Sequence, residues 1–125
     1  MSGPRAQGFT LVEVVVALAI LAIALAAASR ATRGTADVAR DLEARVAAQW
    51  VAENRIAERI ALRSWLPPGV ISGVEVQAGV ELLWSEQVTA TYNPFFRRLE
   101  VRVARAAEPE RMLAQTVGFL VNRGR

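Results

Sequence analysis

A glutamate, Glu13, stands inside the apolar run "FTLVEVVVALAILAIALAAA" from Phe9 to Ala28. An unpaired charge in such surroundings costs several kcal/mol, so its natural chemistry is to find a counter-charge. The other carboxylates offer no better case for catalysis. Glu75, Glu81 and Glu86 are scattered through the second half of the chain. They have no histidine, cysteine, glycine-rich turn or nucleophile elbow beside them. We therefore expect no enzyme, no metal and no cofactor. Calcium is disfavoured because no aspartate follows Asp41 and no run of oxygen ligands forms a binding loop. The net charge of +3 comes from 15 arginines interspersed with 12 acidic residues. Mixed signs of this kind argue against a nucleic-acid stripe.

The elements that must position these residues can be read from periodicity and punctuation. Phe9 to Ala28 would rise about 30 Å as a helix, enough to cross the hydrocarbon core of a bilayer. A core helix is the rival reading, but about 95 remaining residues are too few to surround a helix that is apolar on every face. A cleaved secretory signal is a second rival, since Ala22, Ala24, Ala26 and Ala28 offer small-residue sites. Against it stand the single arginine, Arg5, in the segment before the run and the carboxylate within it. The distribution of arginines about the span leaves its orientation open.

No proline interrupts the chain between Phe9 and Leu66, and Gly34 is the only glycine there, so one helix is expected from about Phe9 to about Leu62. Val38, Leu42, Val46, Trp50, Ile56 and Ile60 share roughly a third of the helical wheel and are expected to carry a small domain. Arg40, Arg55, Arg59 and Arg63 lie mainly outside that stripe. "WLPPGVISG" then ends the helix and opens a loop. Beyond Gly79, "VELLWSEQVTATY", "RRLEVRVARA" and "MLAQTVGFLV" read as three strands in antiparallel pairing. Trp65, Trp84, Phe95 and Phe96 read as core and rim aromatics.

The glycine at position 8 followed by "FTLVE" and an unbroken aliphatic run resembles the leader of type IV pilins and of type II secretion pseudopilins. The resemblance implies a fold class, α+β and pilin-like, with a long N-terminal helix packed on a small antiparallel sheet. It implies four segments: a prepilin leader over 1–8, a transmembrane helical segment over 9–28, an amphipathic continuation over 29–66, and a loop with a sheet over 67–125. It further implies cleavage by a prepilin peptidase between Gly8 and Phe9 and N-methylation of Phe9. Glu13 is then implied to set subunit register by facing the amino terminus of a neighbour.

A second stretch narrows the likeness. "AAQWVAENRIAERIAL", residues 47–62, is similar to the helix of the minor pseudopilin subunit I family. That family implies a structural subunit at the tip of a periplasmic pseudopilus supporting export of folded proteins. The implied partners are J-type, K-type and major G-type pseudopilins and the prepilin peptidase, with the inner membrane holding a single-pass anchor and a periplasmic C-terminal domain. A minor pilin of a type IV pilus or DNA-uptake system is the alternative. Val46, Trp50, Glu53, Asn54, Arg55 and Ile56 are the expected partner interface. Glu53 falls near the middle of the apolar stripe, so either it is satisfied within its own domain or it meets a partner. Asn54 and Arg55 fall toward the opposite side.

Overall fold

The computed structural model describes Gly3 and residues 8–124. Apart from Gly3 and Gly8, the expected leader lies outside the described residues. One helix, α1 (Leu11–Ala61), precedes four strands: β1 (Gly69–Gln77), β2 (Val80–Ala90), β3 (Phe96–Arg105) and β4 (Glu108–Val121). By internal packing the chain divides into two units, one ending at Ala39 and one beginning at Arg40.

The first unit holds the apolar half of α1. Its large side chains from Leu11 to Leu25 are exposed on all sides, so none of the described residues covers them. This overturns the core-helix reading and leaves, among the described residues, a single helix long and apolar enough to cross a membrane. Thr10 opens the helix: its hydroxyl accepts the Glu13 backbone N–H, while Glu13 Oε2 accepts the Thr10 N–H, each at 3.2 Å. This reciprocal pair is the T-x-x-E capping box, which satisfies donors that a helix start leaves orphaned. Farther along, the hydroxyls of Thr32 and Thr35 bond back to the carbonyls of Ala28 and Ala31, keeping two polar groups on the helix's own backbone.

The second unit packs the rest of α1 on a four-stranded antiparallel sheet in the order β1-β2-β3-β4. Its core joins Ala44, Ala48, Val51 and Ala52 of the helix to Leu82, Val88, Leu99, Val101, Val103 and Leu120 of the sheet. Strand alternation puts every second residue on that inner face: the registered pairs Val88↔Leu99, Glu86↔Val101 and Leu99↔Gly118 run across it. At Gly118 the helix meets no side chain. A Cβ added to Gly118 would lie 2.8 Å from Ile56 Cγ2.

The packed face of the helix is not the one the periodicity suggests. Of Val38, Leu42, Val46, Trp50, Ile56 and Ile60, only Ile56 is buried. The face that meets the sheet is built of alanines with Val51 and Ile56, because small side chains let a helix approach a sheet closely and keep their area from water. Bulk marks the other side.

The strand count also differs from expectation. β1 occupies most of the segment read as a loop, and it pairs with β2 from Gly69↔Val88 to Gln77↔Val80. The two residues between, Ala78 and Gly79, have φ of 51° and 73°. Two successive positive φ values make the tight turn whose twist suits a hairpin. Alternating Val70, Val74 and Val76 supply the strand. The helix ends at Ala61, with Arg63 N–H donating to Ile60 O at 3.1 Å and Ser64 N–H to Arg59 O at 2.9 Å. These bonds, with Arg63 at φ 51°, form a Schellman motif. β4 begins at Glu108, earlier than the expected start at Met112, and its pairing with β3 is irregular near Ala104.

Candidate functional site

Two regions hold the residues singled out by the sequence. In the first unit, Phe9 is exposed just ahead of the helix, and Glu13 sits in the first turn bonded to Thr10. The carboxylate therefore has a local partner in the isolated chain, a backbone N–H, and keeps a second oxygen for another. Thr10 escaped the sequence reading, although the T-x-x-E spacing was there to be seen.

In the second unit, Leu42, Val46, Trp50, Glu53, Ala57 and Ile60 line the side of α1 opposite Ala44, Ala48, Val51 and Arg55 at ~100° per residue. All six are exposed, with Trp50 at 59% and Ile60 at 54%. Glu53 lies in this stripe and accepts a hydrogen bond from Gln49 Nε2 at 2.8 Å. Gln49 Nε2 also reaches Thr116 Oγ1 on β4 at 3.2 Å. Glu53 is thus steadied by its own domain while remaining in solvent. Asn54 is exposed beside it.

Arg55 and Ile56 leave the expected interface. Ile56 is buried against Gly118. Arg55 is turned inward, its guanidinium 3.3 Å from the centre of the Trp84 ring and its Nε 2.6 Å from Glu86 Oε1. Arg59 closes the cluster, donating from Nε and Nη2 to Glu86 Oε2 at 3.1 and 2.9 Å. Glu86 is fully buried. A buried carboxylate demands such partners, and two guanidiniums one helical turn apart can supply them only in one rotation of α1 about its axis. The ion cluster thereby fixes which side of the helix faces the sheet and which is presented outward. In the sequence Glu86 looks like one of several scattered acids; its period-2 position among the inward residues of β2 is the signal that marks it.

On the sheet's other face Glu100 is held between Arg98 Nη1 at 2.6 Å and Arg102 Nε at 2.5 Å. Burial would raise its carboxyl, but hydrogen bonds from both arginines and their charges outweigh that and hold it below the usual carboxylate range.

A long N-terminal helix with an apolar half, packed through its second half on an antiparallel meander, defines an α+β pilin-like protein. The comparisons with known proteins refine that class. Residues 42–121 match the family model of the type II secretion system (T2SS), protein I, and residues 3–29 match the prokaryotic N-terminal methylation motif. The chain is 38% identical to the type II secretion system protein I of Pseudomonas aeruginosa, with 93% of this chain and 95% of that protein covered. It is 32% identical to the protein of the same name from Aeromonas hydrophila, covering 88% and 92%. With that of Pectobacterium carotovorum subsp. carotovorum it shares 35% identity over 81% and 84%. The chain belongs to the type II secretion system protein I family, and so is a type II secretion pseudopilin.

Proposed function

We propose that this chain is a non-catalytic subunit of the pseudopilus tip, assembling with J-type and K-type pseudopilins above a G-type shaft to support export of folded proteins across the outer membrane. Processing between Gly8 and Phe9, with methylation of the new amino terminus, leaves the apolar helix in the inner membrane as a single-pass anchor and the sheet domain in the periplasm. Glu13 pairs with the amino terminus of a neighbouring subunit and sets register.

The observation that carries this reading is the exposed stripe through Val46, Trp50 and Glu53. It is long and apolar and lies on the far side of α1 from its own sheet. Such a face suits a second helix, with Trp50 as the anchor residue and Glu53 and Asn54 as its polar flank. A photo-crosslinking amino acid placed at Trp50 in the full chain, expressed at native level, should capture a J-type pseudopilin. The same label at Gln115, on the outer face of the sheet, should not. Equal capture at both positions, or capture of neither J-type nor K-type chains, would remove the tip assignment.

A further inference from the structure

A cavity of about 770 Å³ opens between the last turn of α1 and the end of β4, lined among others by Ile60, Arg63, Trp65, Phe119, Val121 and Arg123. No carboxylate among the described residues lines it. Of its three arginines, Arg59 is committed to Glu86, whereas Arg63 and Arg123 make no ion pair among the described residues. The floor is apolar and aromatic and the rim is cationic. Arg63 also holds a left-handed backbone, φ 51°, at a helix end where glycine would be the easier residue. Strain of this kind is kept where a side chain is wanted.

The second observation concerns β4 itself. It is an edge strand, and from Met112 to Val121 it carries neither a charge nor a proline, the devices that usually protect an edge. The Asn122 N–H donates to Phe95 O at 2.8 Å, which fixes the phase of the ladder. Asn122 and Leu120 turn their main-chain groups toward β3, so those of Phe119 and Val121 point to the free edge. The open backbone groups and the cationic cavity thus occur at the same place.

We propose that this cavity and the free edge of β4 together bind an extended segment of another polypeptide, one carrying carboxylates beside apolar side chains. The backbone of the segment would add a strand to β4, its apolar residues would enter beside Ile60 and Trp65, and its carboxylates would meet Arg63 and Arg123. A lipid headgroup could satisfy the arginines but not the row of main-chain donors and acceptors. A second copy of β4 would bring its carboxylates, Glu108 and Glu110, on either side of Pro109, which lacks the main-chain donor that an added strand needs there. This proposal does not depend on the tip assignment.

The test uses the full chain in phosphatidylcholine nanodiscs and a fluorescein-labelled peptide of about ten residues, a strand's usual length or a little more, alternating Val and Glu. The expected result is binding by anisotropy, with slowed amide exchange at Phe119 and Val121. Arg63→Gly should weaken that binding about fivefold, or about 1 kcal/mol where tenfold is 1.4 kcal/mol, without lowering the thermal midpoint. Because glycine suits the left-handed backbone, this variant separates the ligand's loss from a loss of fold; Arg123→Gln should act in the same direction. Equal binding by a Val–Gln peptide, unchanged affinity in both variants, or displacement by phosphatidylglycerol vesicles with no slowing at β4 would each overturn the proposal.

Discussion

The Arg55 Nε lies 2.6 Å from Glu86 Oε1, joining the middle of a helix to the second strand of a sheet at a point where the carboxylate has no access to water. Arg59 completes the arrangement from one turn away. Pairing of this sort gives direction more than net stability, because desolvation consumes much of the attraction. Its removal is a different matter. Glu86→Ala strands two partly buried guanidiniums and should cost about 3 kcal/mol, read as a lower urea midpoint of the full chain. Replacing all three groups together, as Glu86→Leu with Arg55→Met and Arg59→Met, should recover most of that loss. If the triple variant is as unstable as Glu86→Ala, the cluster contributes net energy and is not chiefly an orienting device.

Ile56 of the helix packs directly over Gly118 of the sheet. Gly118→Ala places a Cβ where Ile56 Cγ2 already sits, and the methyl can retreat only by lifting the helix or leaving its rotamer. Overpacking of this order costs about 1–3 kcal/mol. The double variant Gly118→Ala with Ile56→Ala removes the obstructing Cγ2 and should be less destabilised than the sum of its single changes, a coupling that thermal melts of the four proteins would measure.

Much of this fold was legible because it depends on local signals. The apolar run, the missing prolines and the Pro67–Pro68 stop give the helix its ends to within a few residues, and alternation in Leu99, Val101 and Val103 gives β3 its inner face. Two features were not legible, for related reasons. The helix buries alanines and turns Trp50 outward, so residue bulk points to the wrong face; only the inward demand of Glu86, a tertiary fact, selects the right one. β1 was hidden because Gly69 and Gly73 look like loop residues. Gly73 in fact makes room for the Trp84 ring, which an added Cβ would meet at 2.5 Å. At the candidate site, Glu13 and Glu53 stand out as carboxylates in apolar surroundings. Thr10 and Arg59 do not stand out, because their roles appear only when their partners are in place.

The outer face of the sheet predicts a pH dependence. Glu100 is held below the ordinary glutamate value of 4.5 by Arg98 and Arg102 against the opposing effect of burial. A depressed folded-state pKa means that its contribution is complete above the unfolded value and disappears as pH falls through the folded one. Wild type should therefore exceed Glu100→Gln in urea midpoint at neutral pH, and the gap should begin to close below 4.5 and vanish at still lower pH. A gap that stays constant into strong acid would mean that Glu100 acts by packing and not by charge.

At the helix start, two roles of one carboxylate can be separated. In the lone chain Glu13 accepts the Thr10 N–H, a bond that needs only an oxygen; pairing with a neighbour's amino terminus needs the negative charge. Glu13→Gln should keep the cap and lose the pairing, whereas Thr10→Ala, which costs about 1 kcal/mol at an N-cap in water, should loosen the cap and keep the charge. Both variants should insert into membranes, since neither adds a charge to the apolar segment. Secretion and co-purification with other pseudopilins should then fall much further in Glu13→Gln than in Thr10→Ala, with the abundance of each subunit unchanged on immunoblots. The reverse order would show that Glu13 serves chiefly to start the helix, and the register role would have to be given up.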